Sequence, residues 1–385
     1  MRLLFVDFTL PYLLADEEFP VGGWAVQLEQ WLYGLSEIGV RAAVLTWKGA
    51  NAHVGRKLPF ELIESFDPKT GFRVAKYFYS YIPAILAVAR VYEPDAIVQS
   101  TRSIYTAIMA YIAGRLDVPF IYRVASDADV DSRAARGLQL YERLAYRYGL
   151  EAADLVICQN EYQSTQIMRA RPARPVLRIQ NSTRIARDAL PPRGPADRKY
   201  IAWLGVFRYE KNMPLLARVA EALPDIDFQV AGMPGRGADR ETLASVDALK
   251  RLPNVCFVGY LKRMEVGEFL AGAMALLCTS HLEGFSNTFL EAFAAGTPVL
   301  TRRGVDPDGI VAGHGLGFVA ASDGDLIANV RRLAQMNATE YDSLALHCRS
   351  YLESHHDPCR SMQRLVEAVE YQIRERTART RAGRH

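Results

Sequence analysis

The feature that most limits how this chain can fold is a regular alternation of short apolar runs with helical patterns, sustained from end to end and broken once. Leu3 to Phe8 reads as a strand, then comes a loop through Pro20, Gly22 and Gly23. A helix follows from about Trp24 to Ile38, a stop at Gly39 and a second strand from Ala42 to Thr46. Ala96 to Gln99, Pro119 to Val124 and Leu155 to Gln159 repeat the pattern. Strands separated by helices pair in parallel, because a parallel crossover needs the length that a helix supplies, so the chain predicts βαβ units. Around Arg184 to Lys199 the composition turns to Pro, Arg and Gly (Pro191-Pro-Arg-Gly-Pro195), which reads as a linker. The alternation then restarts at Tyr200 to Gly205, Asp227 to Ala231, Val255 to Val258, Ala275 to Thr279 and Val299 to Leu300. The expectation is an α/β chain of two Rossmann-like halves, 1–184 and 185–360, facing a central cleft. A last helix around Met362 to Ile373 and a basic tail occupy 361–385.

Composition excludes several alternatives. A chain of 385 residues can bury two ordinary cores, and 50% hydrophobic with 23% charged residues suits a soluble globular protein. The run Met1-Arg-Leu-Leu-Phe-Val is too short for a signal peptide and ends at Asp7, and no window reaches the about 20 apolar residues that span a bilayer. The expected location is cytoplasmic, with the inner membrane face as a second station. A net charge of +3 is too small to argue for a nucleic-acid partner. The tail from Arg374, with Arg376, Arg379, Arg381 and Arg384 against Glu375, reads as a solvated end with some attraction for anionic lipid. The five cysteines (Cys158, Cys256, Cys278, Cys348, Cys359) are scattered. Cys348 and Cys359 lie near His347, His355 and His356 without zinc-ligand spacing, so no metal is expected.

Residues 281–300, HLEGFSNTFLEAFAAGTPVL, carry the chemistry. Glu283 and Glu291 flank Gly284, Phe285, Ser286, Asn287 and Thr288, a composition suited to a loop entering a helix. The apolar run from Phe289 ends at Gly296, and Pro298 leads into a strand. A helix entered in this way aims its N-terminal N–H groups and positive dipole end at an anion in front of Ser286 to Thr288. Carboxylates repel phosphate, so the two glutamates are suited to sugar hydroxyls on either side of a diphosphate. Trp203-Leu-Gly-Val-Phe-Arg-Tyr-Glu-Lys-Asn212 follows the first strand of the second half. Gly205 allows close backbone approach there, and Arg208 with Lys211 places two cations at a strand's carboxyl end. Two ordinary surface charges would give the same pattern. The glycine-rich loops Ala231-Gly-Met-Pro-Gly-Arg-Gly237 and Gly22-Gly23 fit either a phosphate approach or a plain turn.

Together, Gly22-Gly23, Arg208 with Lys211, and the Glu283-x7-Glu291 pair resemble the GT-B glycosyltransferases, specifically the retaining family 4 (glycosyl transferases group 1). The resemblance extends over essentially the whole chain and includes Asp154-Leu-Val-Ile-Cys-Gln-Asn-Glu-Tyr162 and Arg178-Ile-Gln-Asn181. It implies transfer of a sugar from a UDP- or GDP-sugar to a glycan, lipid-linked or small-molecule acceptor with retention of anomeric configuration. No metal or other cofactor is implied. By resemblance, Arg208 and Lys211 neutralise the donor diphosphate, Glu283 holds hydroxyls of the transferred sugar and Glu291 takes the ribose. The backbone around Gly284, Phe285, Ser286 and Asn287 meets the sugar and distal phosphate, and Gly259-Tyr-Leu261-Lys262 lies near the base. An epimerase or phosphorylase on the same fold is the alternative, with a dinucleotide-dependent oxidoreductase behind it, since Gly22-Gly23 lacks the GxGxxG spacing.

One departure stands out. Family members often carry a histidine after a strand of the N-terminal half, whereas the corresponding run Tyr122-Arg-Val-Ala-Ser-Asp-Ala-Asp-Val-Asp131 has none. Asp127 is the candidate for its place, with Arg123 and Asp129 as fallbacks; the competing reading is that these aspartates cap a helix starting near Asp131. Asp127-Ala-Asp129, Asp129-Val-Asp131 and Asp306-Pro-Asp308 match a three-residue metal motif of another glycosyltransferase fold and read as coincidence. Phe72 to Val91 is dense in aromatics, with Arg73, Lys76 and Arg90 among them. It reads either as an amphipathic core helix or as a surface for lipid or acceptor.

Overall fold

The computed structural model describes residues 1–385 except 16, 20, 71, 73, 74, 132, 134–137, 186–192, 236 and 383–385. Pro20, Arg73, Pro191, Arg236 and Arg384, named above, therefore lie outside the described residues. The chain divides into two compact units: Met1–Glu17, Val21–Ser182 and Pro358–His385 form the first, and Glu18–Pro20 with Thr183–Asp357 form the second.

The first unit is built on seven parallel strands, β1 (Arg2–Val6), β2 (Arg41–Trp47), β3 (Glu61–Phe66), β4 (Ala96–Ser100), β5 (Phe120–Arg123), β6 (Leu155–Cys158) and β7 (Val176–Arg178), in the order β3-β2-β1-β4-β5-β6-β7. Helices α1 (Leu10–Leu14), α2 (Gly23–Glu37), α3 (Ala50–Val54), α4 (Ile82–Tyr92), α5 (Ile104–Leu116), α6 (Leu140–Ala152) and α7 (Glu161–Ala170) lie between the strands. Because side chains alternate along a strand, β1 and β4 fill two cores at once. Leu3, Phe5, Ala96 and Val98 pack with α2, while Leu4, Val6 and Ile97 pack with α4 and α5. Each fully buried Leu or Phe contributes about 2 kcal/mol.

The second unit repeats the plan with six strands, β8 (Tyr200–Leu204), β9 (Phe228–Ala231), β10 (Val255–Gly259), β11 (Ala273–Leu277), β12 (Val299–Arg302) and β13 (Gly317–Ala320), in the order β10-β9-β8-β11-β12-β13. Its helices are α8 (Met213–Ala222), α9 (Arg240–Leu249), α10 (Glu265–Ala271), α11 (Asn287–Ala294), α12 (Ile310–His314), α13 (Asp323–Ala334) and α14 (Ala338–His355). In both sheets the strand order reverses once, between β1 and β4 and between β8 and β11, and a crevice at the carboxyl ends opens at such a reversal.

The last helix, α15 (Pro358–Ala382), belongs to the first unit, where Met362, Leu365 and Val369 form a stripe at helical spacing in the same core as α2. A side chain at Gly34 of α2 would meet the Pro358 carbonyl at 2.9 Å, so glycine permits this approach. The tail differs from the expected solvated coil. It stays helical to Ala382, and Arg376 is held by Asp117 at 2.9 Å and Asp154 at 3.3 Å. The expected helix near Asp131 also differs: Asp127–Asp129 form a 3-10 turn, and the next α-helix begins at Leu140. The aromatic segment enters α4 through a π-helical turn at Tyr77–Tyr81. Tyr81, Ile85, Ala89 and Tyr92 face the core, while Phe78 and Tyr79 are exposed.

Candidate functional site

The second unit gathers charged groups where its strand order reverses. From β8 the chain runs through Gly205 to Arg208 and a 3-10 turn at Tyr209–Lys211; from β11 it runs through Thr279 and Ser280 to Glu283 and α11. The two loops are tied together. Trp203 Nε1 donates to Thr279 Oγ1 at 3.0 Å, Thr279 Oγ1 donates to the Lys211 carbonyl at 2.8 Å, and His281 N donates to the Glu210 carbonyl at 2.8 Å. His281 also stacks on Tyr209 at 5.0 Å. The glycine loop after β9 joins them, since Phe207 N donates to the Met233 carbonyl and Gly235 N to the Phe207 carbonyl. Gly232 has φ +142° and lies against the Gly205 carbonyl, where a Cβ would come within 1.8 Å; no other residue fits there. A cavity of about 370 Å³ is lined by Arg208, Glu210, Gly235 and Asp239 among others.

This framework brings Lys211 and Glu283 into contact. Lys211 Nζ lies 2.5 Å from Glu283 Oε1, and Ser280 Oγ donates to the same oxygen at 2.7 Å. Burial pulls the Lys211 ammonium toward its neutral form, but the Glu283 carboxylate and Cys278 together outweigh burial and hold its pKa above the usual value. Arg208 is exposed and enters no ion pair among the described residues. Gly205 leaves room for the Lys211 stem, since a Cβ there would approach Lys211 Cε at 3.4 Å.

At the start of α11, Ser286 occupies the cap position with extended backbone, yet its hydroxyl pairs with Thr288 Oγ1 at 2.8 Å and does not cap. Neither is there an acidic residue in the first turn. By contrast α8, α9, α13 and α14 are capped by Asn212, Asp239, Ser322 and Asn337. Phe285 is buried and packs on His356 at 5.5 Å, so it anchors the loop and contributes backbone only. Asn287 opens the helix and Gly284 precedes it. Leu261, after β10, packs its side chain against the core. Glu291 is bonded by Arg263, a residue the sequence analysis did not single out.

The remaining candidates lie in the first unit. Gly22 caps α2 and Gly23 opens it; Gly22 has ordinary backbone angles and open space around it, so sterics do not demand glycine there. Asp127 Oδ1 accepts from Asn160 Nδ2 and Gln163 Nε2, both at 2.9 Å, and burial raises its pKa against those two bonds. Asp129 is the aspartate that caps: it accepts from Ser126 N at 3.0 Å and Ala125 N at 3.2 Å and pairs with Arg102 at 3.2 Å. Asp131 is bound by Arg133, which holds its carboxyl down at about 2. Arg123 is fully buried, stacked over Trp24 and Trp31 and bonded to Asn181 Oδ1 at 2.6 Å, so it faces the core. Asp306 caps α12 through Val311 N and Ala312 N. Among the described residues no group of three His, Cys, Asp or Glu side chains is placed to hold a metal ion.

Residues 189–346 match the family model described as glycosyl transferases group 1. A 159-residue stretch is 28% identical to the 2-deoxystreptamine N-acetyl-D-glucosaminyltransferase of Niallia circulans, and the match spans 40% of each chain. Among solved structures, sucrose-phosphate synthase from Thermosynechococcus elongatus superposes with a TM-score of 0.71 at 17% identity over 100% of both chains. Anabaena HepE in complex with UDP-glucose superposes with a TM-score of 0.74 at 16% identity, over 96% of this chain and 100% of that one. The chain therefore has the GT-B fold, and its residues 189–346 match the glycosyl transferases group 1 family.

Proposed function

We propose that the chain transfers a sugar from a nucleotide-sugar donor, a UDP- or GDP-sugar, to a glycan, lipid-linked or small-molecule acceptor, with retention of anomeric configuration. One observation carries this reading. The Lys211–Glu283 and Arg263–Glu291 ion pairs, the exposed Arg208 and a helix start without a side-chain cap gather around the strand-order reversal of the second unit. A diphosphate placed before α11 would meet the positive end of the helix, with Arg208 and Lys211 beside it. Glu283 would accept from hydroxyls of the transferred sugar, and Glu291 from those of the ribose. As the bond from the anomeric carbon to the diphosphate oxygen breaks, its electron pair stays on the diphosphate, where preorganised donors lower the barrier. The acceptor hydroxyl forms the new bond on the same face and gives its proton to the departing diphosphate. Arg208 and Lys211 supply the charge that a metal ion would otherwise provide. Asp127, in the first unit, would orient the acceptor hydroxyl.

A screen of UDP- and GDP-sugars by thermal shift and product analysis tests this. A donor should stabilise the protein and be consumed only when an acceptor is present. Consumption without acceptor would instead indicate an epimerase, or a phosphorylase if phosphate is required. Glu291→Ala should weaken donor binding about tenfold, the worth of one or two charge-assisted hydrogen bonds. Glu283→Ala should mainly lower turnover. Wild-type activity in both variants would sink the site assignment.

A further inference from the structure

Glu291 is held by a partner from another element. Nη1 of Arg263 bonds Oε1 of Glu291, and the two side chains are only 22% and 11% exposed. Arg263 lies in the turn between β10 and α10, and that turn is built. Gly259, at φ +79°, lets the chain leave β10, and Lys262 N donates to the Glu265 carboxylate at 2.7 Å. Glu265 N returns to the Lys262 carbonyl at 2.9 Å, and Leu261 packs against the core. The turn thus presents the guanidinium to α11 from a fixed backbone.

A carboxylate offers about four acceptor positions on two oxygens. Arg263 occupies part of Oε1 and leaves room for two further donors. A charge-assisted bond from a guanidinium fixes the plane of the carboxylate. We infer that Arg263 is the positioning residue that determines selectivity for the ribose half of the donor. It holds Glu291 oriented to accept from the vicinal 2′ and 3′ hydroxyls. This rests on Glu291 as the ribose contact, proposed above. A fixed acceptor cannot follow a missing hydroxyl, so the site should discriminate against 2′-deoxynucleotides.

Calorimetric titration of wild type, Arg263→Lys and Arg263→Gln with UDP, GDP and their 2′-deoxy forms tests the inference. Wild type should bind the ribonucleotide about tenfold more tightly than its deoxy form. Arg263→Gln should remove most of that ratio by weakening the ribonucleotide alone. It should also raise donor KM with kcat nearly unchanged. Arg263→Lys, which restores a cation, should recover part of the ratio. Equal weakening of ribo and deoxy forms by Arg263→Gln would mean a general structural role and overturn the inference. So would unchanged binding, which would leave the donor reading standing. A wild type that binds neither UDP nor GDP would remove both.

Discussion

At the scale of single residues, Asp127 is unusual because it is held yet not neutralised. Two amides donate to one of its oxygens, and no cation enters hydrogen-bond distance among the described residues. Burial outweighs these bonds and raises its pKa, so the folded state binds a proton that the unfolded chain has already released. Stability attributable to this group therefore falls as pH rises from the unfolded value of about 3.9 through the folded one, and the penalty is complete at neutral pH. Asp127→Asn keeps an oxygen for Asn160 and Gln163 and removes the charge. The variant should melt a few degrees above wild type at pH 7, and the gain should shrink toward zero as the pH approaches 4. A gain equal at both pH values would show that ionisation is not the cause. If the stabilised variant also loses turnover, the buried charge is kept for the reaction at a cost in stability. Asp127 was legible as a candidate by its place after a strand. Its two amide donors were not, because Asn160 and Gln163 lie 33 and 36 residues away on another loop and helix.

At the scale of elements, α11 is fixed from both ends. Near its start are the ties between the loops of β8 and β11; beyond its end is Arg198. The buried Arg198 guanidinium donates to the carbonyls of Ala295 at 3.1 Å, Gly296 at 3.0 Å, Ala273 at 2.8 Å and Arg193 at 2.9 Å, and to Thr297 Oγ1 at 2.7 Å. It also lies 5.2 Å from the Tyr341 ring. Arg198→Met fills the same space and leaves those buried acceptors without their donor, at a cost of about 1–3 kcal/mol for each group that water cannot reach. Amide hydrogen exchange over 287–295 should quicken at least about tenfold, the equivalent of 1.4 kcal/mol. Arg198→Lys should recover only a fraction, since a point charge cannot span the fork. Unchanged exchange in the methionine variant would refute the latch. The helix itself was legible: Ser286 before it, Gly296 after it and Pro298 leading into β12 are local signals. Arg198 was not, because it lies within the stretch from Arg184 to Lys199 that reads as linker, and the carbonyl it shares with β11 is 75 residues away. The same holds for Arg263, whose worth depends on a carboxylate 28 residues on.

At the scale of the whole molecule, the alternation of apolar runs and helices foretold two parallel sheets, because nothing else satisfies so many short buried strands. It did not foretell which helix faces stay wet. Most large apolar side chains of the first unit are buried, yet α6 exposes Leu140 (71%), Leu144 (59%) and Tyr148 (54%) on one face with Tyr141, Arg143 and Arg147. Its Glu142 is bonded back to Gln139 N, and the exposed Glu151, one turn beyond Arg147, is paired with Arg171 at 2.9 Å, which leaves Arg143 and Arg147 as the arginines of this face. Burial, and more weakly the Glu142 carboxylate of α6, raise the pKa of Tyr77, so the π-helical turn with exposed Phe78 and Tyr79 lies near this face. Aromatic, leucine and arginine side chains together are the composition of a surface that lies in a lipid interface, and no described helix is long and apolar enough to cross one. A face of this composition predicts that α6 and the turn at Phe78 bind an anionic bilayer. The protein should co-sediment with vesicles of phosphatidylcholine containing phosphatidylglycerol and much less with phosphatidylcholine alone. The loss of two arginines in Arg143→Glu/Arg147→Glu should weaken binding by about 2 kcal/mol or more, an effect that rising salt should erase. Leu144→Glu should weaken it at every salt concentration, because it removes apolar area from the interface. Turnover of a short water-soluble acceptor should be unchanged in both variants. Vesicle binding that ignores both sets of substitutions would place the contact elsewhere on the chain.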